Sequence, residues 1–80
     1  MSSNLPIEAA FGAAVREARK QRKISQEQLA FDSGLDRSFL SQVECGRKQP
    51  SLVTIFQIAK ALATTPAQLL AATELKLNLP

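Results

Sequence analysis

Ala30 and Gly34 stand four residues apart between two short helix-forming runs, and this spacing restricts the fold more than any other feature. Two helices crossing at roughly 90–120° approach closely, so the crossing takes a small side chain. Ala30 supplies it. The turn between them takes a residue tolerant of positive φ, and Gly34 supplies that. Leu29, Leu35, Leu40 and Val43 then fall inward and hold the second helix against the rest of the chain. Its other face stays polar, with Arg37, Ser38, Ser41 and Gln42. The block from Gln26 to Val43 therefore reads as two helices joined by a tight turn, with one polar helix face left to solvent.

Caps and spacing extend this to five helices. The first runs from Pro6 or Glu8 to Arg22, with Phe11, Val15, Ala18 and Arg22 on one face. The second opens at Ser25, with Gln28 placed to close a capping box, and stops at Gly34. The third opens at Asp36 and ends before Gly46. The fourth is capped by Ser51 and runs to Ala63, with Leu52, Ile55, Ala59 and Leu62 inward. The fifth starts at Thr65, with Pro66 at the first helical position and Gln68 at the third. Short connections make this a compact all-α unit.

Composition agrees and excludes several chemistries. Of 80 residues, twelve are Ala and eleven Leu, and only four are aromatic. Ala is a good helix former and is depleted in strands. With no His and one Cys, a His-based triad, a His-containing zinc site and an internal disulfide are all excluded. No metal or cofactor is expected. No apolar run approaches the roughly 20 residues of a membrane span. The first residues lack the order of a signal peptide, so the expected compartment is the cytoplasm.

The formal charge is +3, and it clusters. Arg16, Arg19, Lys20, Arg22 and Lys23 face one nearby acid, Glu17. Such a run is either the solvated face of a helix or a surface for an anionic partner. Arg37, Arg47 and Lys48 form a second cluster, whereas the chain from Ser51 onward is apolar and nearly neutral. From Glu74 to Leu79, polar and apolar residues alternate, which suggests a short strand. That tail, residues 73–80, is either frayed or meets a second copy of the chain. Residues 1–7 are expected to be a flexible N-terminus and residues 8–72 the folded domain.

Several runs together resemble a known family. They are Phe11-Gly12 with Val15-Arg16 and Arg19, Ile24 to Ala30, Ser33 to Ser38, Val43-Glu44 with Gly46, Pro50 to Leu52, and Ile58 to Leu62. The chain resembles the lambda-repressor-like, XRE-type helix-turn-helix domains over about residues 7–72. Leu35 to Ser38 followed by Phe39-Leu40-Ser41 is most similar to the controller proteins of restriction–modification systems.

The resemblance implies that the third helix enters the major groove of double-stranded DNA. Arg37 would read a base, since its planar fork can pair with guanine O6 and N7. Ser38, Ser41 and Gln42 share that face. Asp36 either caps the helix or accepts from a cytosine amino group, and its position fits the cap better. Gln26, Ser25, Arg47 and Lys48 would meet phosphates, with Ser25 fitting a cap better. Arg19 and Glu44 would form a partly buried ion pair joining the first helix to the end of the third. Lys23 stands where the family often has Gly, so either the turn differs or Lys23 accepts strain. Cys45 stands where Asn or Arg is common, and reads as a structural or incidental thiol rather than a redox sensor. Phe31 and Phe56 each flank a core position, and Phe56 fits an exposed contact.

These features point to a transcriptional regulator acting as a homodimer on a palindromic operator, and not to an enzyme. Phe56, Leu69, Leu70, Leu75, Leu77 and Leu79 are the expected dimer surface. Bound near a promoter, such a dimer blocks RNA polymerase or recruits it. The apolar tail and Phe56 also suit an alternative, an antitoxin-like or adaptor module whose main partner is a protein.

Overall fold

The structure, a computed structural model, describes residues 5–77. Among the described residues it has five helices and no strand: α1 Ile7–Gln21, α2 Gln26–Ser33, α3 Arg37–Glu44, α4 Leu52–Ala61 and α5 Pro66–Leu77.

Local chemistry sets the helix starts. Ser25 Oγ accepts from the Gln28 amide at 3.0 Å. One Asp36 carboxylate oxygen accepts from the amides of Ser38 and Phe39 at 3.0 and 3.3 Å. Ser51 Oγ accepts from the Thr54 amide. At α5 the capping box closes both ways, with the Gln68 amide donating to Thr65 Oγ1 and the Thr65 amide to Gln68 Oε1. The box expected at α2 closes only one way, because Gln28 Nε2 donates instead to Asp32.

The first four helices end alike. The amides of Ile24, Leu35, Arg47 and Thr64 each reach back five residues, to the carbonyls of Arg19, Ala30, Gln42 and Ala59. This geometry places one residue in the left-handed region. Those residues are Lys23 (φ 60°), Gly34 (73°), Gly46 (76°) and Ala63 (55°). Lys23 thus keeps the ordinary turn and accepts the strain.

Phe11, Val15, Leu29, Ala30, Leu40, Val43, Ile58, Ala59, Leu62 and Leu69 are buried together in one core. The helices pack with α3 and α5 against α1, α2 against α3 and α4, and α4 against α5. Ala30 is buried at the α2 crossing, as its size requires.

Three expectations fail. Leu52 is 67% exposed, whereas Ile58 is buried beside Ala59 and Leu62. Most of α4 is apolar, so more than one stripe has helical spacing, and only packing selects among them. The alternating tail is not a strand, because α5 continues to Leu77. Glu, Leu and Lys are good helix formers, and helical spacing puts Thr73 and half-buried Leu77 on one face. Lys76 also forms an ion pair with Glu17 of α1. Leu69 is only 3% exposed and belongs to the core, so it offers nothing to a second copy. Leu79 lies outside the described residues, as do residues 1–4 of the expected N-terminus, and Ile7 is already helical.

Candidate nucleic-acid interface

α3 divides cleanly into two faces. Leu40, Val43 and Glu44 are buried, and Phe39 packs partly against the core. Arg37, Ser38, Gln42 and Cys45 are exposed, and Ser41 is half-buried beside them. These five fall at positions i, i+1, i+4, i+5 and i+8, one side of a helix. The fork of Arg37 and the amide of Gln42 therefore share an open polar face. Arg47, Lys48 and Gln49 are exposed just beyond the C-terminal end of α3.

Three contacts hold this helix in place. First, Gly12 lets α1 approach the end of α3, since a Cβ there would lie 2.2 Å from the Val43 carbonyl oxygen. Second, Gly46 packs on Ala9, where a Cβ would lie 2.7 Å from the Ala9 Cα. Third, Glu44 accepts from Arg19 Nε at 2.8 Å and from Arg19 Nη2 at 3.0 Å, a two-point fork. Arg19 Nη1 also donates to the Ile24 carbonyl at 3.1 Å. The hydrogen bond Arg19 donates to Glu44 raises the Arg19 pKa above its ordinary value, more than burial lowers it. The pair keeps α1, the turn after it and the end of α3 in one register.

The roles expected of Gln26 and Ser25 meet structural duties. Gln26 Nε2 donates to Glu44 Oε1 at 3.1 Å, making a third member of the Arg19–Glu44 cluster. Ser25 Oγ accepts the α2 cap, and a hydroxyl so used still has a hydrogen to donate. Asp36 uses one oxygen for the α3 cap. The sequence reading missed the Gln26–Glu44 bond. It also missed the close approach at Gly12, although a lone glycine inside a helical run is a signal for it.

Apolar groups lie open elsewhere. Leu52, Val53 and Phe56 on α4, and Leu70 and Leu75 on α5, are exposed. Phe31, which flanks buried Ala30, is itself 82% exposed on α2. Among the described residues, no helix is long and apolar enough to cross a membrane, and no three His, Cys, Asp or Glu side chains group as a metal site requires.

Comparison with known proteins places this geometry. The family model described as helix-turn-helix matches residues 15–69. The chain belongs to the helix-turn-helix family. It is similar to Control protein C.BamHI of Bacillus amyloliquefaciens, 40% identical over 71 residues that cover 88% of this chain and 85% of that protein. The solved restriction-modification controller protein C.AhdI from Aeromonas hydrophila is 47% identical with a TM-score of 0.76, covering 78% of this chain and 94% of that one. The clp gene regulator ClgR from Corynebacterium glutamicum is 27% identical with a TM-score of 0.90, covering 96% of this chain and all of that one. In this helix-turn-helix protein, α2 and α3 are the two short helices joined by the tight turn at Gly34, and the polar side of α3 stays open.

Proposed function

We propose that this helix-turn-helix transcriptional regulator binds a palindromic operator as a homodimer and serves as the controller of a restriction–modification system. The observation that carries the reading is the open face of α3, where Arg37, Ser38, Ser41 and Gln42 share one side of a helix whose other side is locked in the core. Arg37 reads guanine through its fork, and Gln42 reads adenine or supports a neighbour. Asp36 caps α3 and keeps its second carboxylate oxygen for a cytosine amino group. Arg47 and Lys48 hold phosphates, the Ser25 hydroxyl donates to one, and Gln26 uses its second amide hydrogen for another. The similarity to C.BamHI and C.AhdI supports the controller assignment.

A single domain reads only a few base pairs, so specificity comes from two copies. Phe56, Leu70, Leu75 and Leu77 form the dimer surface, and half-sites lie about one helical turn, roughly 34 Å, apart. The dimer acts in the cytoplasm without catalysis, by blocking or recruiting RNA polymerase at a promoter.

Selection of bound sites from random duplex DNA tests this in one step. The expected product is a symmetric site, and Arg37→Ala should lower specific affinity by about 1–3 kcal/mol and relax one base position in each half-site. Unchanged affinity and preference in Arg37→Ala would remove α3 from base reading.

A further inference from the structure

The basic run on α1 has a structural duty at one position only. Arg19 is committed to Glu44 and the Ile24 carbonyl. Arg16 and Lys20, one turn apart on the same helix, are exposed, and neither makes an ion pair or side-chain hydrogen bond among the described residues. With Ala13, Glu17 and Glu44 they line an open cleft where α1 meets the C-terminal end of α3.

Both acids in that cleft are already neutralised. Glu44 is held by Arg19 and Gln26, and Glu17 is paired with Lys76 of α5. The cleft therefore carries two unbalanced positive charges beside the end of α3. Helix stabilisation accounts for only one of them. A cation favours a helix C-terminus within the last turn; Lys20 lies there, but Arg16 does not.

We propose that Arg16 and Lys20 make α1 a second DNA-facing element, which grips backbone phosphates beside the major groove that α3 enters. The proposal rests on the reading of α3 as the recognition helix and extends it to a surface with no base-reading role. The cleft opens at the C-terminal end of α3, where exposed Arg47 and Lys48 follow. A duplex seated on α3 runs its backbone past that end. The two cations would register the protein on the duplex without adding sequence information.

Salt dependence tests it. Each phosphate contact contributes about 0.9 to the slope of log K against log salt. The full chain is titrated with its selected operator duplex between 50 and 200 mM salt, as wild type, Arg16→Gln, Lys20→Gln, the double variant, and Lys60→Gln. Lys60 is an exposed cation of α4 beside the end of α2, so Lys60→Gln makes the same change in net charge away from the cleft.

The expected result is a slope shallower by about 0.9 in each single variant and about 1.8 in the double variant. Across that range the wild type would then lose roughly tenfold more affinity than the double variant. Lys60→Gln should keep the wild-type slope, and the ranking of base-substituted operators should not change. An unchanged slope in a double variant that melts like the wild type would overturn the proposal. So would an equal loss in Lys60→Gln, which would assign the effect to net charge, or a changed base ranking. A wild-type chain that enriches no site at all would instead overturn the reading of α3, separately from the α1 contacts.

Discussion

At the scale of single residues, the Arg19–Glu44–Gln26 cluster is the most consequential arrangement. The Glu44 side chain is 3% exposed and that of Arg19 12%. A buried charge that loses its partner is costly, by about 3–5 kcal/mol. Arg19→Ala should fall at the lower end, about 3 kcal/mol, because part of the site touches water. Stability for a chain of this length is about 4–12 kcal/mol, so urea unfolding should show a large fall in midpoint. Arg19→Lys should recover little, since an ammonium cannot make the two-point fork and still reach the Ile24 carbonyl. The pH dependence has a definite sign. The folded-state pKa of Arg19 is raised, so the stability this group contributes is fully present below its unfolded value and is lost only as pH rises through the higher folded one. Across neutral and mildly alkaline pH the Arg19 contribution should stay constant. The two strained exits give the opposite kind of prediction. An L residue in the left-handed region costs about 1–2 kcal/mol, and Gly returns part of that gain as backbone entropy. Lys23→Gly and Ala63→Gly should each stabilise the fold by about 0.5–1 kcal/mol. Thermal melting should show this as a rise of a few degrees.

At the scale of elements, the packing of α1 on α3 controls where the polar face points. Gly12→Ala would drive a Cβ into the Val43 carbonyl, 2.2 Å away. Both sides of that contact are backbone, so relief requires the helices to separate. The expected cost is about 3 kcal/mol, the upper end of ordinary overpacking, with a loss of DNA affinity larger than the unfolded fraction explains. Melting and DNA titration of the same preparation separate the two effects. The helix boundaries were readable because their chemistry is local. Ser25, Asp36, Ser51 and Thr65 each meet an amide two or three residues away, so the sequence spells out the contact. The α3 face was readable too, because its polar and apolar residues separate at helical spacing. What sequence did not reveal depends on distant partners. Leu52 and Ile58 both lie on apolar stripes of a helix that is mostly apolar, yet only Ile58 is buried when the helices pack. Glu74 to Leu77 alternate, but the run is short and its residues are good helix formers, so packing on α1 prevails. Gln26 carries no mark that its amide reaches Glu44, eighteen residues on.

At the scale of the whole molecule, the proposed dimer has a candidate surface in the exposed apolar residues of α4 and α5. Phe56 is 55% exposed, and Leu52, Val53, Leu70 and Leu75 also lie open on α4 and α5. Isolated exposed apolar residues are ordinary, but large contiguous patches mark interaction surfaces. The open polar face belongs to α3, so a dimer joined through α4 and α5, as proposed, would leave both α3 helices free. Burying the exposed half of Phe56 in such an interface contributes about 1–1.5 kcal/mol per copy, and a charge placed there would be desolvated without a partner. Phe56→Glu should therefore give a folded monomer. Light scattering at micromolar concentration should read twice 8.7 kDa for the wild type and 8.7 kDa for the variant. Melting of the variant should remain cooperative, because Phe56 is not part of the buried core. Operator binding should weaken far more than binding to one half-site, since a monomer loses the effective concentration that the joined second copy provides. If the wild type scattered as a monomer at that concentration, or if Phe56→Glu remained a dimer, the α4–α5 surface would not be the junction between copies.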